Sequence, residues 1–213
     1  IPQLEPMAEA FLDNLNKAAF YNDAALITGI LDYNLSTEQA WNNLIVLGKD
    51  TAGATEGQYF YGHANRFSKH HLLPIGEFVP FEQWLRHLAP IFDLPMSSFT
   101  RGSYVQPNLL ANDYQLLSAI CFEIAFPRQI RANFTTDTDF ILTVSNDAWF
   151  GDSIGPHQHL QIAQMRAREF GRPVLRATNN GITASIKPDG TIAKRLPQFK
   201  EAVLSDTLTL STG

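Results

Sequence analysis

Cysteine occurs once in this chain, at Cys121, which rules out an internal disulfide and leaves the redox compartment open. No stretch approaches the roughly 20 apolar residues that a membrane-spanning helix needs, and no signal-peptide pattern is present. Positive charge is also short. Lys and Arg number 16 against 21 Asp and Glu, a net charge of −5, so no sequence-wide footprint for nucleic acid exists and none is expected as a partner. Metal ligands do not cluster. His157 and His159 stand at i and i+2, which do not share a helix face, and no Cys or carboxylate group lies beside them to complete a site. Neither a metal nor any other cofactor is expected. Internal repeats, low-complexity tracts and a dividing linker are absent as well. Asn34-Leu35-Ser36 and Asn133-Phe134-Thr135 match the glycosylation sequon, too weak a signal to carry weight.

What remains is the composition of a globular domain, 45% hydrophobic and 17% charged over 213 residues, enough to bury a full core. Met7 to Ala19 places Met7, Phe11, Leu12, Leu15 and Ala18 at helical spacing. Short apolar runs predict strands at Ala25 to Leu31, Trp41 to Leu47 and Gln58 to Asn65, with a turn over Asp50 to Gly57. A loop with Pro74, Gly76 and Pro80 leads into a short helix, Phe81 to Leu88, and Pro95 to Asn112 reads as a long loop of the kind that carries function. Then strand and helix alternate. Strands are predicted at Gln115 to Cys121, Phe140 to Ser145, Val174 to Ala177, Ile182 to Ile186 and Glu201 to Leu208, with helices at Phe126 to Asn133 and His157 to Phe170. Gly171 and Pro173 mark the stop of the second helix, and Lys187-Pro188-Asp189-Gly190 is a turn. The pattern predicts one layered α/β domain over residues 1–213. Its ends look cut: the chain opens at Ile1-Pro2 without an initiator Met and closes on the polar run Leu210 to Gly213, which reads as a piece of something longer.

Cys121, Asn146 and the run Thr178, Asn179, Asn180 each fall at or just past the end of a predicted strand. Carboxyl ends of strands are where layered α/β proteins gather ligands, so one shared pocket is expected. A thiol has an unperturbed pKa near 8.5, and as a nucleophile it needs a nearby cation or a base. Lys69 could be that cation, and its ammonium could also stabilise an oxyanion at an attacked carbonyl, with the Phe122 backbone N–H as a second donor. Glu77 and Glu123 could orient Lys69 or set its charge. Taken singly, each has a plainer reading: a small core hydrophobe for Cys121, solvated surface groups for the rest. A Cys–His hydrolase stays open, because six His are present and such partners meet only in the fold.

Together, Lys69 in Lys-His-His-Leu-Leu-Pro-Ile-Gly-Glu, Cys121 in Ile-Cys-Phe-Glu-Ile-Ala-Phe-Pro and Asn146 in Ser-Asn-Asp-Ala-Trp-Phe-Gly resemble the nitrilase, or carbon–nitrogen hydrolase, superfamily. The resemblance continues through Gly155 to Leu160, Met165 to Ala167, Gly171 to Pro173 and Arg176 to Thr183, and so spans nearly the whole chain. The Asp-Ala-Trp-Phe-Gly wording, including Trp149, leans toward the nitrilase-like domain of bacterial lipoprotein N-acyltransferases. The resemblance implies an αββα sandwich and a Glu–Lys–Cys triad in which Cys121 is the nucleophile and Lys69 the lysine, supported by Glu77 and Glu123. It implies transfer of an acyl chain from a phospholipid to Cys121 as a thioester, then to the N-terminal amine of a diacylglyceryl-cysteine lipoprotein. It also implies a place at the periplasmic side of the bacterial inner membrane, with membrane helices outside this segment. Phe78, Val79, Phe81, Trp84, Leu85 and the 90–99 stretch would be either an apolar mouth for lipid or core.

Two departures matter. The family's triad Glu precedes an Ile-Pro, so here it would lie ahead of Ile1, and the chain alone is expected to be inactive and poorly stable without its leading strands. Position 122 is Phe where many relatives have Tyr. The alternatives are a carbon–nitrogen hydrolase acting on small amides or nitriles, and a catalytically silent module.

Overall fold

The computed structural model describes residues 6–74, 76–78 and 99–210. Helix α1 (Pro6–Tyr21) comes first, then strands β1 (Ala25–Asn34), β2 (Gln39–Gly48) and β3 (Arg66–Ser68). Strands β4 (Leu109–Ala111) and β5 (Tyr114–Ile120) form a hairpin, followed by a 3₁₀ turn (Cys121–Ala125) and helix α2 (Pro127–Asn133). After β6 (Phe140–Asn146) come a second 3₁₀ turn (Ala148–Phe150) and helix α3 (Gly155–Phe170). Strands β7 (Val174–Asn179), β8 (Ala184–Ile186) and β9 (Ile192–Arg195) complete the order.

Two sheets result. β1, β2 and β3 make an antiparallel sheet, and a six-stranded sheet runs β4-β5-β6-β7-β8-β9 with β5, β6 and β7 parallel. Three apolar clusters stack these elements into layers. Leu12 and Leu15 of α1 pack on Ile45 and Leu47 of β2. Leu44, Val46 and Phe67 meet Leu109, Leu116, Ile120 and Leu142 between the sheets. Leu117, Ile141 and Val174 pack on the far side against Ile130, Leu160, Ala163 and Ala167 of α2 and α3. The order is helix, sheet, sheet, helix, the expected αββα sandwich.

Local chemistry explains the joints. Asn16 is buried on α1, where its side chain accepts from the Gly48 N–H at 2.7 Å and donates to the Gly57 carbonyl at 3.1 Å, tying the helix to the end of β2. The β4–β5 turn is Asn112-Asp113, both at positive φ, the residue types that tolerate a tight two-residue hairpin. Gly171 ends α3 at φ 61, as its place after the apolar stripe predicts.

Four sequence expectations need correction. Gln58 to Asn65 is not a strand: Gly62 turns at φ 87, and the partner of β2 is the short β3 that follows. The end of the expected 95–112 loop is strand β4. Strand β9 follows the 187–190 turn and was not predicted; it pairs with β8. Glu201 to Leu208 forms no ladder. Its alternation is met another way: Leu204 and Leu208 approach the inner sheet face, where with Phe140, Leu142 and Leu175 they line a cavity of about 360 Å³. The expected helix at Phe81 to Leu88 and the apolar stretch 79–98 lie outside the described residues. Among the described residues no helix is long and apolar enough to cross a membrane.

Candidate active site

Strand β5 delivers Cys121 and stops there. Ile120 is the last residue in register with β6, opposite Val144, and Cys121 turns to φ 59 as the first residue of the 3₁₀ turn. A left-handed backbone at a residue other than glycine costs of order 1–2 kcal/mol and is held only by its surroundings. The turn lifts the half-buried thiol out of the sheet's alternation at the carboxyl end of the parallel strands.

Lys69 comes from the opposite sheet, one residue past β3. Its N–H donates to the Asn42 carbonyl at 2.8 Å and its own carbonyl accepts from the Gly102 N–H at 2.9 Å. Gly102 presses so close to β3 that a Cβ there would stand 2.1 Å from the Ser68 carbonyl oxygen. Only glycine allows that approach. The Lys69 side chain is 3% exposed, and its Nζ donates to Glu77 Oε2 at 2.6 Å. It also sits 5.3 Å from the centroid of the Phe122 ring, the residue next to Cys121. Glu77 is fixed in turn by the Leu73 N–H at 2.8 Å and by Asn42 Nδ2 at 3.1 Å. A buried ammonium, paired and aimed at the turn that bears the thiol, is thus built from three segments.

Glu123 does a different task. It is 1% exposed, and its carboxylate accepts the N–H groups of His70 and His71 on one oxygen, at 2.8 and 2.9 Å, and of Ile120 on the other, at 2.9 Å. One side chain therefore clips the Lys69 segment to the Cys121 turn. Burial raises its pKa, although the three N–H donors and the Lys69 charge pull the other way.

The structure gathers Cys121, Phe122, Lys69, Glu77 and Glu123 in this way. Asn146 ends β6 at the same edge, accepts from the Ala148 N–H at 3.2 Å, and lines a polar cavity of about 590 Å³ with Thr178, Asn179 and Asn180. Trp149 is not drawn in. It stands 82% exposed on the following turn, beside the exposed Phe150 and Ile154. No group of His, Cys, Asp and Glu able to hold a metal occurs among the described residues.

Three residues at this edge carry no role in the sequence reading. Asp147, His159 and Arg176 are buried together under the Cys121 turn, with Arg176 Nη2 at 2.5 Å from Asp147 Oδ2 and His159 Nδ1 at 3.1 Å from Asp147 Oδ1. Burial alone would raise the Asp147 pKa, but hydrogen bonds from His159 and Ser145 and the Arg176 charge outweigh it and hold the carboxyl below its ordinary range. His157 is exposed, whereas His159 turns inward to a carboxylate from another element, so the two do not share a site.

The sequence profile of the carbon–nitrogen hydrolase family matches residues 2–213. Over 213 residues the chain is 54% identical to a Photobacterium profundum protein named apolipoprotein N-acyltransferase, covering all of this chain and 40% of that protein. A Vibrio cholerae protein of the same name is 52% identical, again over the whole chain and 41% of its own length. The chain thus spans about two fifths of the length of these curated relatives. Among solved structures, Nit3 of Saccharomyces cerevisiae, of the nitrilase superfamily, superposes with a TM-score of 0.62 at 14% identity, over 90% of this chain and 62% of that one. An amidase from Nesterenkonia sp. AN1 gives 0.60 at 19% identity, over 88% and 64%.

Proposed function

This chain belongs to the carbon–nitrogen hydrolase family, and from that premise we propose that it is the acyl-transfer domain of a lipoprotein N-acyltransferase with Cys121 as nucleophile. The observation that carries the reading is the buried Lys69 ammonium, held by Glu77 and set over Phe122 at the strained turn of the single cysteine. A cation there meets the negative charge that grows on an attacked carbonyl oxygen. In the proposed sequence the sulfur of Cys121 attacks an ester carbonyl of a phospholipid, and the thiol proton passes to the carboxylate base that the family resemblance implies. Collapse of the tetrahedral intermediate expels the lysophospholipid hydroxyl, which regains a proton. The α-amine of a diacylglyceryl-cysteine lipoprotein then attacks the thioester, forming the amide and releasing the thiol. The relatives' name, apolipoprotein N-acyltransferase, supports acyl transfer to a lipoprotein amine, while the phospholipid donor and the place at the periplasmic face of the inner membrane follow from the family resemblance. On this reading Asn146 lies in the pocket at the strand ends, and the exposed Trp149 meets lipid at its rim.

Intact mass of the full gene product after incubation with phospholipid tests it, with Cys121→Ser alongside. An acyl-sized gain, absent from the Ser variant and released by hydroxylamine, is expected. Hydrolysis of small amides without any adduct would instead make the protein an amidase of the same family.

A further inference from the structure

The turn at Cys121 poses a problem that Lys69 does not solve. At φ 59 the Cys121 carbonyl has left the register of β5 with β6, and it needs a donor of its own. That donor is His159 on α3, whose Nε2 lies 3.2 Å from the Cys121 carbonyl oxygen. A carbonyl can only accept, so Nε2 carries a proton; Nδ1 then either accepts from Arg176 Nη2 or, protonated as well, donates to Asp147 Oδ1.

The other ring nitrogen faces a built arrangement. Nδ1 sits 3.1 Å from Asp147 Oδ1 and 3.2 Å from Arg176 Nη2. Asp147 also accepts from Ser145 Oγ at 2.6 Å, and its N–H donates to the Asn179 carbonyl at 3.0 Å. Arg176 donates through Nε to the Ile182 carbonyl at 3.2 Å. Gly181 makes room: a Cβ there would lie 2.4 Å from Asp147 Oδ2. The ends of β6 and β7, the loop after β7 and helix α3 are joined in this way, and the chain of contacts ends on the backbone of Cys121. Buried ion pairs contribute little net stability against apolar packing, so a pair that ends on the nucleophile's carbonyl asks for another explanation.

We propose that Asp147, Arg176 and His159 form a positioning network in which Asp147 and Arg176 orient the His159 ring and its Nε2–H holds the Cys121 turn in the attacking geometry. These are positioning residues, since all three are buried and act through the backbone of Cys121. The proposal rests on Cys121 being the nucleophile, and its test separates the two.

In the full gene product, His159→Phe keeps the ring volume and removes the donor, while His159→Gln keeps an N–H able to reach the carbonyl. For Phe we expect kcat for acyl transfer to fall about a hundredfold, the scale of a small misplacement at a reacting centre. KM should stay within about twofold, because substrate binding is untouched. Gln should recover most of the loss. On the wild type, nitrogen NMR of the labelled His159 ring should show a protonated, hydrogen-bonded Nε2, a readout that needs no variant to fold. Wild-type turnover by the Phe variant, equal losses for Gln and Phe, or an unprotonated Nε2 would each overturn the network. If Cys121 forms no acyl adduct at all, the acyl-transfer reading fails, and the ring signal still judges the positioning contact.

Discussion

Replacing Glu123 by Ala should cut the tie between the two halves of the site, and the size of the effect follows from its contacts. Three backbone donors, the N–H groups of His70, His71 and Ile120, would lose their acceptor in a place the side chain reaches at 1% exposure. A buried donor left unpaired costs about 1–3 kcal/mol, more where the lost acceptor was charged. Against this stands the desolvation of the carboxylate itself, which is large enough to raise its pKa despite those donors and is recovered when the group is removed. A net loss of about 3–5 kcal/mol results, the range for breaking a buried charged interaction. Amide exchange reads it locally, since it reports the free energy of opening segment by segment. Peptides covering 66–73 and 116–125 should exchange roughly two to four orders of magnitude faster than wild type, at about 1.4 kcal/mol per tenfold.

Glu123→Gln separates charge from shape. Its single amide oxygen can keep the His70 and His71 donors, but its NH₂ then faces the Ile120 N–H, so we expect a smaller loss than for Ala. The pH dependence has a definite sign. Because the folded carboxyl titrates above its unfolded value near 4.3, its contribution is fully present below that pH and declines as pH rises through the raised folded pKa. The Gln variant should lack that decline. Exchange in Glu123→Ala within about tenfold of wild type for all three amides would refute the clip and leave Glu123 a bystander.

Other perturbations follow from the same geometry. Lys69→Met should slow thioester formation by at least about a hundredfold, and Lys69→Arg should not restore it, because a planar guanidinium does not fit where a buried ammonium meets Glu77 at 2.6 Å; rapid-quench mass spectrometry reads both. Gly181→Ala forces a Cβ into Asp147 Oδ2 and should cost about 1–3 kcal/mol, seen as a fall of several degrees in the melting temperature. Asp147 titrates below its unfolded value of about 3.9, so its stabilisation holds above that pH and is lost as pH falls through the lower folded pKa; Asp147→Asn should flatten the acid limb of a melting-temperature titration. Trp149→Ala should leave stability within about 0.5 kcal/mol, as an exposed side chain allows. Acyl transfer from lipid vesicles should drop in that variant while alkylation of Cys121 by iodoacetamide does not.

Much of the layering was written in periodicity. The apolar runs of β1, β2, β5 and β6 and the stripe of α3 announced themselves because each buries a face, and burial dictates the spacing. Phe11 shows the limit: it fits the helical spacing of α1, yet it stands 61% exposed while Asn16 takes the buried place, its amide bonding the backbone at the end of β2 and at Gly57 beyond it. The 58–65 and 201–208 runs failed for a related reason. Alternation says that one face is covered and does not say whether a ladder or a crossing segment covers it. Strand β3 has three residues, too few to carry any pattern.

At the site the split falls along the pleat. Period-2 alternation sends neighbours within one motif to opposite layers. In Ser145-Asn146-Asp147 the middle residue faces the open strand-end cavity, whereas Ser145 and Asp147 are buried on the helix side. In β7, Arg176 is buried beneath the sheet and Asn179 opens onto the same cavity as Asn146. A reading that looks for polar groups at strand ends finds the cavity side, because those residues have the bland polarity of a ligand pocket. The other side was available from the same alternation, since an Asp and an Arg that fall in register with Ile141 and Val174 must be buried, and buried opposite charges must meet. What alternation could not supply is His159, which comes from a helix 12 residues after Asp147 and whose contact with the Cys121 carbonyl exists only because β5 ends in a left-handed turn. The backbone strain at Cys121, invisible in composition and spacing, decides which histidine meets that turn.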